Sequence, residues 1–268
     1  MSAGKVSSAQ AKIERAEKHI NEVEDQLIAF GNKNPYKFTA ERDPKTRELI
    51  YRMVEVGALP DIAPATGDAL HNLRSALDHV ICAFSSTITT STSFPLVDPA
   101  KKASERKKAF RSKIGSLSPE GEKIVERFNP YDRIDPILWR LHQLDILDKH
   151  KTLATVAASF GLMDVSGHAA FLKYGRRYVV QRAADGHGFV ARIAVENYVG
   201  PARQVFPLKA GDVIHTDPPD AEPDQDIDFR FSIVLNEPGI AEGLSITETL
   251  YETRDLVGSI VAAFAKLP

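Results

Sequence analysis

The chain is poor in cysteine, in long apolar runs and in excess charge of either sign. Its single cysteine, Cys82, excludes an intramolecular disulfide framework and a cysteine-rich zinc site. No stretch approaches the roughly 18 uninterrupted apolar residues of a membrane-spanning helix. The formal net charge of −2 over 268 residues creates no global field that attracts nucleic acid or an anionic membrane. Any contact with nucleic acid therefore needs a local basic patch.

Sequence motifs of several common enzyme classes are also missing. There is no P-loop, no G-x-G-x-x-G and no G-x-S-x-G. Their absence disfavours nucleotide hydrolases, dinucleotide-binding enzymes and α/β-hydrolases, and we expect no cofactor. Residues 1–20 contain no apolar core of a signal peptide. Together with the lone cysteine, this favours a cytoplasmic protein.

Hydrophobic periodicity predicts helices through the first half of the chain and again at its end. The clearest apolar stripe has alternating spacings of 3 and 4 and consists of Ile13, Ala16, Ile20, Val23, Leu27 and Phe30. We expect helices near residues 8–31, 62–86, 101–128, 136–150 and 246–266. Expected N-caps are Ser118, Asp135 and Ser245, the first two of which precede a proline.

Two other parts of the chain are predicted to form strands. A β-hairpin is expected at about 36–57 around Asp43-Pro44, and about five strands at 152–236, two of them flanking Asp185-Gly186. This order predicts an α+β fold, with an N-terminal helical bundle, a β-rich C-terminal half and a final helix. We expect a mainly helical part at 1–151, including the hairpin, and a β-rich part at 152–268 whose last helix returns to the bundle. Alternatively, the two parts form one cooperative unit.

The stretch "DALHNLRSALDHV", residues 68–80, has an unusual number of titratable groups for a helix that also has a full apolar face. On a helical wheel, that face holds Leu70, Leu73, Leu77, Val80, Ile81 and Phe84. A polar stripe on the opposite side holds His71, Ser75, Asp78 and Cys82. Arg74 flanks the stripe on one side, and Asn72 and His79 flank it on the other.

A second polar group lies in "PILWRLHQLDILDKHK", residues 136–151. Apolar side chains occur nearly all round this predicted helix, which is typical of a buried helix. Yet His142, Asp145 and Lys149 share one strip, with Asp148 beside it. Since buried charges need partners, we expect this helix to face the earlier one through a polar network. Its partners there are Arg74, His71 or His79.

The segment "RSALDH" resembles the R-x4-6-H motif of HEPN-domain proteins, with Arg74 and His79 at its ends. Many members of that family are metal-independent endoribonucleases of toxin and phage-defence systems, built as helical bundles that commonly dimerise. The resemblance implies an endoribonuclease or an RNA-binding module of bacterial toxin or defence type, with RNA as the partner and a homodimer. It implies that His79 is a general acid/base and that Arg74 holds the phosphate. Asn72, Asp78 or Asp145 would orient an imidazole. Further supporting side chains would be His71, His142, Asp148 and His150.

Two other interpretations of these residues remain open. In the first, the protein is a non-catalytic interaction or scaffold protein, and the polar network only fixes the register of its helices. In the second, the helices hold a metal ion through donors among His71, Asp78, His79, His142, Asp145, Asp148 and His150. There is, however, no H-E-x-x-H or E-x-x-H in these helices, and we assign no metal ligand.

A basic segment, "KKASERKKAFRSK", lies at residues 101–113. The residues expected to contact a phosphate backbone are Lys102, Arg106, Lys107 and Arg111.

Overall fold

A computed structural model describes residues 2–96, 100–114, 116–130, 136–166, 197–219, 221 and 227–268. The described chain has the α+β fold that its sequence predicts. Its helices are α1 (Ser2–Lys5), α2 (Ser7–Gly31), α3 (Ala63–Phe84), α4 (Ala103–Ile114), α5 (Pro119–Arg127), α6 (Ile137–Asp148) and α7 (Ile246–Phe264). Its strands are β1 (Tyr36–Arg42), β2 (Leu49–Val56), β3 (Thr155–Ser166), β4 (Asn197–Val205), β5 (Val213–Asp217) and β6 (Ile227–Leu235). None of the described helices combines the length and the apolar character needed to cross a bilayer.

The chain divides into two compact units whose segments alternate along the sequence. A helical unit comprises Met1–Gly31, Pro60–Thr155 and Val234–Pro268, and a strand unit comprises Asn32–Leu59 and Val156–Ile233. The single boundary expected near residue 151 therefore differs from the observed division. The early hairpin belongs to the strand unit, because its apolar face packs with residues of later strands.

The helical unit is held together by amphipathic helices that each bury one face. α3 packs against α2, α6 and α7, and α2 also packs against α7. The side chains that this packing buries include Ala16, Ile20, Val23, Leu70, Leu73, Leu77, Val257, Ile260 and Val261. Burying a large aliphatic side chain contributes about 1.5–3 kcal/mol relative to leaving it exposed. These faces are thus a major source of the stability of the unit.

Side-chain caps begin two of the helices, as their sequences predict. Ser118 Oγ accepts a hydrogen bond from the backbone N–H of Gly121 at 3.2 Å, at the start of α5. Ser245 Oγ accepts one from the N–H of Glu248 at 3.4 Å, at the start of α7. The expected start of α6, with Asp135 as cap and Pro136 as first helical residue, is wrong. The helix begins at Ile137, and its N-cap residue is Pro136, which makes no side-chain cap hydrogen bond.

The strand unit contains two three-stranded sheets, with the strand orders β1-β2-β5 and β4-β3-β6. The pairs β1–β2, β2–β5 and β3–β4 are antiparallel. Side chains from both sheets share one buried cluster, formed by Leu49, Tyr51, Met53, Ala157, Leu208, Ile214 and Phe229. The hairpin alone could not bury this apolar face, so it depends on strands more than 100 residues later in the chain.

The turn between β1 and β2 confirms the one predicted at Asp43-Pro44. The Asp43 carboxylate accepts hydrogen bonds from the backbone N–H groups of Lys45 and Thr46, both at 2.8 Å. These bonds favour the ionised form and lower the pKa of Asp43. The second hairpin expected, around Asp185-Gly186, lies outside the described residues.

Glu237 joins the segment after α6 to the segment before α7. Its side chain is buried, with one carboxylate oxygen accepting from Lys151 Nζ and the other from the N–H of Ala154, both at 2.8 Å. The backbone N–H of Asn236 also donates to the carbonyl of Ala154, at 2.8 Å. A single buried carboxylate therefore accepts hydrogen bonds from two donors, just before β3 begins.

We predict that Glu237→Ala lowers the free energy of unfolding by about 1–3 kcal/mol, because it leaves the N–H of Ala154 without a partner. Denaturant unfolding measures this loss. Glu242→Ala is the matched control, since Glu242 is exposed and its removal should change stability by less than about 0.5 kcal/mol. Equal effects of the two changes would contradict the role of Glu237.

Candidate functional site

The polar network between α3 and α6 exists as the sequence predicts. His71 Nδ1 of α3 donates a hydrogen bond to Asp145 Oδ1 of α6 at 2.9 Å. Lys149 Nζ, one turn later on α6, donates to Asp145 Oδ2 at 2.6 Å. The side chain of Asp145 is only 4% exposed. Each oxygen of this buried carboxylate has a charged or polar partner, which offsets its loss of hydration.

His71 is exposed although the carboxylate behind it is buried. Its side chain is 46% exposed. An ionised carboxylate only accepts hydrogen bonds, so the proton of the neutral imidazole is on Nδ1, and Nε2 is left as an acceptor. Ser75 Oγ lies 3.5 Å from that nitrogen, one turn along α3. The buried carboxylate thus determines the tautomer of an exposed imidazole.

Arg74 is turned inward, where it holds the segment that follows α3. The residue is 7% exposed, and its Nη1 donates to Asp78 Oδ1 at 2.5 Å. The same oxygen of Asp78 accepts from the backbone N–H of Phe94 at 2.8 Å. Arg74 Nη2 lies 3.5 Å from the carbonyl oxygen of Phe94. The Arg74–Asp78 pair therefore fixes the position of Phe94, whose side chain is fully buried.

Asn72 and His79 contact a different helix. His79 Nδ1 lies 2.7 Å from Ser8 Oγ of α2. Asn72 Oδ1 accepts from Lys12 Nζ of α2 at 3.3 Å, and Asn72 Nδ2 donates to the carbonyl of Asp68 at 2.8 Å. Within one chain, the structure thus brings Arg74 together with Asp78 but does not bring Arg74 to His79.

His142 lies on α6, one turn before Asp145. Its Nδ1 is buried and has no hydrogen-bond partner in the part of the chain that the structure describes. Burial lowers the pKa of His142, and the nearby positive charges of Arg74 and Lys113 lower it further, against the opposing charges of Asp145 and Asp78. Its imidazole is therefore neutral at pH 7. His150, at the end of this segment, is exposed and makes no side-chain hydrogen bond or ion pair among the described residues.

Asp148 of α6 lies against Gly67 of α3. A Cβ atom added at Gly67 would lie 2.1 Å from Asp148 Oδ1, so any larger residue there would require the Asp148 carboxylate to move. Burial raises the pKa of Asp148, and the negative charges of Asp68 and Asp145 raise it further. Asp148 thus belongs to the α3–α6 contact, but its carboxylate is destabilised there.

These side chains do not form a metal site in the described part of the chain. Among those residues, no three His, Cys, Asp or Glu side chains are placed so that they could hold a metal ion. Three of the side chains proposed as metal ligands instead make separate contacts. His79 contacts α2, His71 contacts α6, and Asp78 contacts the backbone of Phe94. The geometry therefore gives the metal hypothesis no support.

The basic segment forms α4, with most of its charges in solvent. Lys102 and Lys107 are exposed, whereas Arg106 is half-buried and donates to the carbonyl of Lys101 at 2.6 Å. Arg111 is exposed and pairs with Glu122 of α5. Of the four predicted phosphate contacts, Lys102 and Lys107 are thus the ones that are exposed and make no ion pair with a described residue.

Several contacts of this site were not found by sequence reasoning. Lys113, at the end of α4, donates from Nζ to Ser93 Oγ at 2.9 Å, next to Phe94. Burial and the charge of Arg74 lower the pKa of Lys113. Neither Phe94 nor Ser8 has a sequence pattern that identifies it as a partner. Gly67 was detectable, since a glycine inside a helix often marks a close approach.

We predict that Gly67→Ala lowers stability by about 1–3 kcal/mol, because the new methyl group overlaps the carboxylate of Asp148. In an Asp148→Ala background the same change should become neutral or stabilising, since alanine is favoured over glycine in helices by about 1 kcal/mol. A double-mutant cycle of unfolding free energies measures the difference.

Gly258→Ala on α7 is the matched control for this cycle. A Cβ at Gly258 would meet no atom within 4 Å, so the change should stabilise the protein in either background. Equal effects of Gly67→Ala with and without Asp148 would show that the two residues do not interact.

His142 should make the stability of the protein sensitive to mild acid. Its folded pKa lies below its unfolded value, so the unfolded chain takes up the proton first as the pH falls. Stability is therefore lost as the pH falls from about 6.5 towards the lower folded pKa. We predict that His142→Gln reduces this loss between about pH 7.5 and about pH 5.5, measured as the denaturant midpoint at each pH. An unchanged loss in the variant would contradict the assignment to His142.

Comparisons of the chain with protein-family models, with curated proteins and with solved structures find no match. The site is therefore interpreted from its own geometry and from the motif in α3.

Proposed function

We propose that the protein is a metal-independent endoribonuclease of HEPN-like type that acts in the cytoplasm as a homodimer. RNA would bind along the positively charged α4 and be cleaved at the polar side of α3. The observation that carries the proposal is the connection between these two helices. Lys113 at the end of α4 donates to Ser93 Oγ at 2.9 Å, and the N–H of the next residue, Phe94, donates to Asp78 Oδ1 of α3 at 2.8 Å.

The charge of α4 supports RNA as the partner. Residues 101–114 contain seven basic side chains and one acidic one, although the whole chain is slightly negative. Lys101, Lys102, Lys107 and Lys108 are exposed and pair with no acidic group among the described residues. Unpaired surface cations bind phosphates and release counterions when they do so.

The chemistry of RNA cleavage needs groups that α3 supplies. Attack of a ribose 2′-hydroxyl on the adjacent phosphate needs a proton acceptor and a positive charge near the phosphate, but no metal ion. The motif assigns these roles to His79 and Arg74. In the single chain they contact α2 and the Phe94 segment respectively. Arg74 must therefore exchange its bond to Asp78 for one to phosphate, or a second copy of α3 must complete the site.

A non-catalytic role is the second candidate, and the inward orientation of Arg74 favours it. A buried arginine that holds the backbone of Phe94 has a structural task of its own. On this interpretation the network fixes how α3 packs, and the protein binds a partner without turnover. Removing Arg74 would then cost about 1–3 kcal/mol of stability, because Asp78 and the carbonyl of Phe94 lose a donor.

The first test incubates metal-stripped protein with a mixed RNA pool and analyses the fragment ends. We expect fragments with 2′,3′-cyclic phosphate, and a loss of about 10²-fold or more in rate in His79→Ala and Arg74→Lys. Arg74→Lys keeps the positive charge, and thermal melting of each variant shows whether it is folded. Intact RNA with the wild type would contradict the proposal, and unchanged cleavage in both variants would exclude this motif as the site.

The same assay tests α4 with a matched pair of charge reversals. Lys107→Glu combined with Lys108→Glu should weaken RNA binding and make it less dependent on salt. Lys33→Glu combined with Lys45→Glu changes the charge equally at two exposed lysines outside α4. Equal weakening by the two pairs would show that only the net charge matters.

A further inference from the structure

His71 and Asp145 form a pair of a kind that enzymes use for proton transfer. The carboxylate is 4% exposed, the imidazole is 46% exposed, and Nδ1 and Oδ1 are 2.9 Å apart. A carboxylate bonded to Nδ1 keeps the ring in one tautomer and one orientation, and it stabilises the imidazolium that forms when Nε2 takes a proton. The R-x4-6-H motif consists of Arg74 and His79 and does not include His71 or Asp145.

The pair is held more firmly than an ordinary surface contact. The second oxygen of Asp145 accepts from Lys149 Nζ at 2.6 Å, so the carboxylate cannot rotate away without losing a charged partner. Asp145 lies on α6 and His71 on α3, and these helices pack directly against each other. The packing of α3 against α6 therefore fixes the position of the exposed imidazole of His71.

The second nitrogen of His71, Nε2, faces a hydroxyl group. Ser75 Oγ lies 3.5 Å from Nε2 and is the donor when the ring proton is on Nδ1, so Nε2 is available as an acceptor on an imidazole that is 46% exposed. Positive charges lie on the same side of α3. Lys149 shares the carboxylate of Asp145 with His71, and Arg74 is one turn from His71.

We infer that His71, oriented by Asp145, is the general base for attack by the ribose 2′-hydroxyl on the adjacent phosphodiester. This inference rests on the proposed function, because it assumes that RNA is the substrate. Nε2 takes the proton of the 2′-hydroxyl as the 2′-oxygen forms a bond to phosphorus. The bond from phosphorus to the 5′-oxygen breaks, and that oxygen takes a proton from water. The products are a 2′,3′-cyclic phosphate and a 5′-hydroxyl, and nothing is oxidised or reduced.

The surroundings of His79 are less suited to this step. Its Nδ1 faces the hydroxyl of Ser8, which does not stabilise an imidazolium as a carboxylate does. The only hydrogen-bond partner that the described residues give the His79 ring is this uncharged hydroxyl, whereas the His71 ring has the carboxylate of Asp145. On this assignment His71 takes the role of base that the motif gives to His79. His79 then has a positioning role at the contact between α3 and α2, so the rate loss in His79→Ala comes from displacement of α3.

The experiment measures RNA cleavage by metal-stripped full-length protein carrying His71→Ala, with and without added imidazole. We expect the rate to fall by about 10²–10⁴-fold and to recover in part with imidazole, which can occupy the space left by an exposed side chain. A purely structural role of His71 would not respond to imidazole. His19→Gln, a histidine on α2 paired with Glu22, is the matched control and should keep the wild-type rate.

Asp145→Asn gives a second measurement at nearly constant volume. The amide would offer Nδ1 a donor in place of an acceptor and would favour the wrong tautomer. The cleavage rate should fall while the affinity for RNA, measured by filter binding, stays within about twofold. Thermal melting shows whether Asp145→Asn is folded. If this variant does not fold, the rate of His71→Ala with and without imidazole tests the role of His71.

The outcomes separate this inference from the proposed function. Cleavage that survives in His71→Ala and is lost in His79→Ala would overturn the role of His71 and leave the endoribonuclease intact. Loss in His71→Ala without recovery by imidazole, together with a matching loss of RNA affinity, would also overturn it. Intact RNA with the wild type would overturn both.

Discussion

The carboxylate of Asp145 is the constraint on which the helical unit depends. A charge that is 4% exposed is stable only where each of its oxygens has a partner. Lys149 supplies one partner from the same helix, but His71 must come from α3. The two helices can therefore pack in one register only. Sliding either helix by one turn would leave the buried carboxylate of Asp145 without its partner on α3. The close approach at Gly67 makes the same register sterically selective.

Helix α3 divides its polar residues between two neighbours. Arg74 and Asp78 hold the backbone of Phe94, and His71 meets α6, whereas Asn72 and His79 meet α2. The five polar side chains named here thus each have a hydrogen-bond partner among the described residues, on a helix whose opposite face is apolar. The histidine that we propose as the base, His71, is therefore positioned by α6, whereas the histidine of the motif, His79, is positioned by α2.

Local patterns predicted most of the helices, the caps at Ser118 and Ser245 and the turn at Asp43, because each depends on residues within one or two turns. The contact of α3 with α6 was also predictable, since a buried Asp145 requires a partner. The separation of Arg74 from His79 was visible in their spacing, because five residues rotate a side chain by about 140° around a helix. Phe94 and the strands that complete the hairpin core were not predictable, because nothing local encodes a pairing across such distances along the chain.

The order of segments along the chain has a consequence for biosynthesis. Both parts of the strand unit are inserted into the helical unit, and α7 is made only after every described strand has been made. When α2 and α3 leave the ribosome, the apolar faces that will pack against α7 have no partner. The helical unit therefore cannot close until α7 has been made, and the nascent chain must keep these faces from aggregating until then.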